Sequence, residues 1–145
     1  MILFADTSAL VKLYIEEAGS AAMAERARHV RLALSVLAYA EVYSTFARRL
    51  REALLTSEEH DELVERFERD WQGVIVVALR PALVGRIPRL VREHPLRGAD
   101  AVHLASALTL QEAGLEMAFA VADGRLAEAA AKEGLEAFNP EQGGG

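Results

Sequence analysis

Short apolar runs alternate with helix-forming stretches along this chain, and four of the junctions carry a carboxylate. The segments are Ile2-Leu3-Phe4-Ala5-Asp6, Ser35 to Glu41, Arg97-Gly98-Ala99-Asp100 and Phe119-Ala120-Val121-Ala122-Asp123. Strands alternating with helices imply a parallel sheet covered on both faces. In such sheets the ligand sits outside the carboxyl ends of the strands. Asp6 and Asp123 fall at that edge by position alone. Glu41 and Asp100 lie near the starts of helices that would leave from the same edge.

The element pattern follows from periodicity and punctuation. Residues 2–5, 31–34, 74–79, 117–122 and 136–138 are expected strands; the run 74–79 is the clearest, β-branched and bounded by Gly73 and Pro81. Helices are expected over 7–16, 20–29, from a Ser35 cap to about Leu54, and over 82–93, with Pro88 as a kink or break. Two more are expected over 99–113 and 124–133. Thr56 and Glu59 have capping-box spacing, which opens a further helix to Trp71. Residues 1–139 read as one domain, and Pro140 to Gly145 as a disordered tail with nothing to pack.

Composition narrows the class. At 145 residues with 52% apolar content and mean hydropathy +0.11, the chain can bury a core and is too apolar for disorder. Charges interrupt every apolar run, so no bilayer span is expected. Without cysteine there is neither a disulfide framework nor a thiolate zinc site. The opening residues do not read as a signal peptide, and the cytoplasm is the expected compartment. A net charge of −6 argues at first against a nucleic-acid partner. Setting the four acids aside leaves 18 acidic and 16 basic residues, a balance that permits a phosphoester substrate without indicating one.

Each acid has an ordinary explanation taken singly. Asp6 and Asp123 suit helix N-caps, and Asp100 suits the first turn of a helix, where it answers the macrodipole. Glu41 is harder to dismiss, because no basic residue stands three or four positions away. Together they would repel: unit charges about 4 Å apart cost roughly 4 kcal/mol at an effective dielectric near 20. A fold that gathers them must supply protons or cations. Oxygen-only ligands suit Mg²⁺ or Mn²⁺. Two such ions roughly 3.5–4 Å apart activate water on one side and stabilise a leaving oxygen on the other.

At these residues the chain resembles the PIN-domain nucleases, especially the VapC-like ribonuclease toxins of bacterial toxin–antitoxin pairs. Asp6-Thr7-Ser8-Ala9-Leu10-Val11-Lys12-Leu13-Tyr14 is similar to the family's first motif and Ala40-Glu41-Val42 to its second. Gly98-Ala99-Asp100-Ala101-Val102-His103-Leu104-Ala105-Ser106-Ala107-Leu108 resembles the third, and Ala122-Asp123-Gly124-Arg125-Leu126 the fourth. The resemblance implies a three-layer α/β/α sandwich around a mostly parallel sheet. It further implies an Mg²⁺- or Mn²⁺-dependent endoribonuclease that leaves a 5′-phosphate and a 3′-hydroxyl. Asp6, Glu41, Asp100 and Asp123 would bind the metal, with Ser8 as a helper hydroxyl. It implies an antitoxin partner that blocks the acids through a basic side chain, and a homodimer. One departure stands out: many members carry Thr or Ser two residues before the fourth acid, where this chain has Val121.

Arg48, two helical turns beyond Glu41, and Lys12, one turn beyond Ser8, are candidate substrate contacts; solvated helix faces are their ordinary explanation. His103 is a packed or supporting histidine, since His29, His60 and His94 give no zinc-like spacing around it. Tyr39, Tyr43, Phe67 and Trp71 could stack bases, but core packing is the better expectation for most of them. An aspartyl-phosphate enzyme is disfavoured, because Ser8 stands where a second Asp would be needed. The remaining alternative is a PIN-like module that binds RNA or protein with weakened or no catalysis.

Overall fold

The computed structural model describes residues 1–142. The elements are β1 (Ile2–Ala5), α1 (Thr7–Val11), α2 (Ser20–Ala27), β2 (Arg31–Ser35), α3 (Leu37–Arg51), α4 (Ser57–Trp71) and β3 (Ile75–Val77). They continue with α5 (Pro81–Val84), α6 (Ile87–Glu93), α7 (Gly98–Glu112), β4 (Met117–Ala120), α8 (Gly124–Lys132) and β5 (Ala137–Phe138). The five strands form one sheet in the order β3-β2-β1-β4-β5, and every pairing is parallel. From β1 the chain first winds outward through β2 to β3. It then returns to the far side of β1 to build β4 and β5. The direction reverses between β1 and β4, and open parallel sheets bind their ligands at such a switch point.

Side-chain alternation explains the layers. Every residue of β1 and β4 is buried. Ile2 and Phe4 of β1 and Met117 and Phe119 of β4 point into one core, completed by Leu83, Leu90, Leu104 and Leu126 of α5–α8. Leu3, Ala5, Ala118 and Ala120 face the other core, with Leu10, Met23, Phe46 and Phe67 of α1–α4. Two helical layers therefore enclose the sheet, as the alternation of runs predicts. Phe4 and Phe119 meet edge to face at 5.4 Å between centroids, which fixes β1 against β4 beneath the switch point.

Some elements differ from expectation. The helix expected over 7–16 stops at Val11, after which the chain closes i→i−3 bonds at Lys12 and Leu13. Ser20 competes for the backbone here: its hydroxyl donates to the Ile15 carbonyl and accepts from the Glu17 amide. The 82–93 helix is two helices, α5 and α6, separated at Gly85-Arg86. Pro88 sits in the first turn of α6, where its missing N–H leaves no ladder bond unmade. The strand expected over 74–79 keeps only Ile75–Val77.

The expected disordered tail is a correction in part. Pro140 is buried, and Glu141 forms a 2.8 Å ion pair with Lys12. Gly19 makes room for this segment. A Cβ there would stand 3.0 Å from the Pro140 backbone, and its φ of +86° already favours glycine. Residues 143–145 lie outside the described residues. No helix among the described residues is long and apolar enough to cross a membrane.

Candidate active site

The backbone at the switch point decides where the acids stand. Asp6 ends β1 and caps α1: its carboxylate accepts from the Ala9 amide at 3.0 Å and from the Ser8 hydroxyl at 2.8 and 2.9 Å. Asp123 follows β4 and caps α8, accepting from the Arg125 and Leu126 amides at 2.8 and 3.4 Å. Asp100 lies in the first turn of α7 and accepts from the Arg97 amide at 3.4 Å. The capping explanation is thus correct for these acids, and it does not compete with their gathering. Helices that begin at one sheet edge bring their caps to that edge.

Glu41 is held by partners far away in sequence. Its Oε1 accepts from the Thr7 hydroxyl at 2.7 Å and from His103 Nε2 at 2.6 Å. The His103 ring is almost wholly buried, and its Nδ1 has no hydrogen-bond partner among the described residues. Nε2 facing a carboxylate makes the Nε2–H form the donor. Sequence reasoning did not weigh Thr7, and it placed His103 only as a supporting residue. Thr7's position directly after Asp6 was the available signal.

The acids descend in depth from Asp6, buried, through Glu41 and Asp100, half-buried, to Asp123, exposed. Burial pushes the Asp6 carboxyl up to about 6, and the charge of Asp100 adds to that effect. Asp100 is itself raised, first by burial and then, against its Arg97 bond, by Asp123. Glu41 is lowered, chiefly by the His103 hydrogen bond. Mutual repulsion along Asp6, Asp100 and Asp123 marks one negative basin. Ser8 ties its rim together, because its Oγ also accepts from the Ala122 amide at 3.3 Å. Beyond Asp100 and Asp123 opens a cavity of about 500 Å³ that Arg97 and Arg125 also line.

An oxygen-only donor set with a buried carboxylate at its floor, raised chiefly by that burial, suits a hard divalent cation. Among the described residues, the one trio with ligand atoms within 4.8 Å of each other lies elsewhere: Glu93, His94 and Glu133. The four acids are spread more widely, as a site filled jointly by cation, water and substrate oxygens allows. The other trio already has its cation, since Arg89 bonds both Glu93 and Glu133.

Of the further candidates, Arg48 is exposed beside this basin. Lys12 is no surface lysine. It is buried, and its Nζ bonds Glu17, Glu141 and the Ala18 carbonyl. Tyr39 and Tyr43 both donate to Glu68 and pack around Phe67 and Trp71. Val121 is fully buried and donates its amide to the Phe138 carbonyl.

Comparison with known proteins agrees with this fold. Ribonuclease VapC45 of Mycobacterium tuberculosis (strain CDC 1551 / Oshkosh) is 38% identical over 118 residues, 81% of this chain and 82% of that protein. Two solved structures share the fold, each with a TM-score of 0.67: FitAcB from Neisseria gonorrhoeae and VapBC2 from Rickettsia felis bound to a DNA fragment from their promoter. FitAcB is 21% identical, over 98% of this chain and 99% of that one; VapBC2 is 12% identical, over 96% and 98%. The PIN domain model matches residues 3–132, a span that takes in all but the first residue of β1, all four acids and the switch point, and the chain belongs to the PIN domain family.

Proposed function

We propose that this protein is the endoribonuclease of a toxin–antitoxin pair, that it hydrolyses RNA phosphodiesters, and that it depends on Mg²⁺ or Mn²⁺. The observation that carries the proposal is the acid basin at the switch point; burial of its deepest member, Asp6, raises that carboxyl to about 6, and the charge of Asp100 adds to the rise. The relationship to Ribonuclease VapC45 supports the choice of RNA as substrate. PIN nucleases use divalent metals; here the cation would supply charge neutralisation and water activation. Asp6, Glu41, Asp100 and Asp123 would hold it. Ser8 keeps Asp6 oriented through a hydrogen bond that spans both carboxylate oxygens. Thr7 and His103 fix Glu41 through its Oε1.

The fold shared with FitAcB and VapBC2 supports a protein partner; on this reading it would silence the site by presenting a basic side chain to the acids. We take the working form to be a cytoplasmic homodimer. The exposed Val76, Leu79 and Val84 on and beyond edge strand β3 offer it an apolar surface.

The test is cleavage of a labelled structured RNA with Mn²⁺, with EDTA, and by Asp6→Asn. Metal-dependent cleavage that drops by at least about 100-fold in the variant is expected, as for loss of a group acting directly on the reacting centre. Cleavage indifferent to EDTA overturns the metal role. Binding that persists without cleavage under any condition favours the non-catalytic module.

A further inference from the structure

A second cavity, of about 290 Å³, lies beside the acid basin; Ser8, Lys12, Thr45, Arg48, Arg49 and Glu141 are in its wall. Its position is defined by hydrogen bonds already described. Ser8 binds Asp6, Thr7 in the same wall binds Glu41, and Ala122, also in the wall, directly precedes Asp123. Whatever fills this cavity therefore lies next to the reacting centre.

The charges are unlike those of the basin. Three cations, Lys12, Arg48 and Arg49, face two anions, Glu17 and Glu141. Glu17 is tied twice, to Lys12 at 3.0 Å and to Arg49 at 3.3 Å. Arg48 is exposed and has no ion pair among the described residues, and the buried Nε of Arg49 has no hydrogen-bond partner among them. Glu141 differs from Glu17 in two ways. Its side chain is 42% exposed against 29%, and it lies beyond β5, outside any helix or strand. Were Glu141 to swing away, Lys12 would keep Glu17 and the Ala18 carbonyl, so its ammonium would not be stranded.

We propose that this pocket seats a backbone phosphate of the RNA next to the scissile one, held by Arg48 and Arg49, and that Glu141 competes with that phosphate for the cationic wall. The proposal rests on the nuclease reading above. Toward Lys12 a carboxylate and a phosphate oxygen are the same kind of partner, and a nucleic acid brings several charges where Glu141 brings one. With Arg97 and Arg125 on the far side, the acids lie between two arginine-lined cavities, an arrangement that tracks a strand passing over them. Glu141 thereby becomes a built-in brake on substrate affinity.

The test is fluorescence anisotropy with a short fluorescein-labelled oligouridine in EDTA, titrated with NaCl. Glu141→Gln is expected to tighten binding about 2- to 5-fold, the range of one partly exposed ion pair. Arg48→Ala should weaken binding and reduce the slope of log K against log salt by about 0.7. Should Glu141→Gln fail to fold, the exposed Arg48 variant carries the test. Unchanged or weaker binding by a folded Glu141→Gln protein, or an unchanged salt slope in Arg48→Ala, overturns the proposal. Mn²⁺-dependent cleavage is measured in parallel. Absent cleavage with the expected binding shifts sinks the nuclease reading and leaves the pocket; intact cleavage with indifferent binding sinks the pocket alone.

Discussion

Asp6 holds two roles whose energetics oppose each other. As a cap it needs an oxygen acceptor, which Asn supplies about as well. As a buried acid it is penalised whenever it is charged. Its folded-state pKa of about 6 lies above the ordinary 3.8, so the fold binds a proton that the unfolded chain releases, and stability falls as pH rises between those values. Without metal, Asp6→Asn should match the wild type near pH 4 and exceed it at pH 7 and above by up to about 3 kcal/mol. Urea unfolding in EDTA across that range checks it; a variant less stable at every pH would show that the buried charge is not what governs this position. Added Mn²⁺ should stabilise the wild type and leave the variant unmoved. At Glu41 the relevant change is His103→Leu, which removes the Nε2–H donor. Metal affinity by calorimetry and cleavage should both fall about 10- to 100-fold, while His103→Gln, whose amide can stand where Nε2 does, should recover most of the loss.

Between elements, the pairing of α6 with α8 titrates in the opposite sense. Arg89, more than His94, holds the Glu133 carboxyl down at about 2. A depressed acid contributes stability that is complete above its ordinary value of 4.5 and disappears as pH falls toward 2. Glu133→Gln should cost about 1 kcal/mol at neutral pH, after solvent screening of the partly exposed Arg89. That difference should close on acidification; a gap that persists at pH 2 would assign it to packing. The same contrast decides what a sequence reader can see among the elements. The Thr56–Glu59 box was legible because both partners fall within one turn, and the structure forms it as expected. The end of α1 at Val11 was not, because a hydroxyl nine residues on and the inward-turned Lys12 interrupt it. Glu41's lack of a local partner was visible; Thr7 and His103, 34 and 62 positions away, became its partners only through the sheet order.

For the whole molecule, alternation of runs was enough to predict the layered parallel sheet, since buried strands must be near-continuously apolar and parallel neighbours need helical crossovers. Strand order was not legible, and neither was the brake on Lys12, because the sequence does not say which way a chain turns after its last strand. With β1 buried on both faces and paired on both sides, amide exchange should be slowest in Leu3–Ala5 and their β4 partners. It should be fastest in the two-residue β5 and three-residue β3 at the edges. Equal protection across the sheet would contradict that hierarchy. The pairing of Ile2 with Met117 has a consequence for synthesis as well. Asp6, the first acid of the basin, is made 111 residues before Met117, where the strand that completes its surroundings begins. Domain-wise folding therefore leaves a polypeptide that has not yet added β4 without its acid basin, and the ribosome that translates it sits beside an unassembled site until that strand emerges.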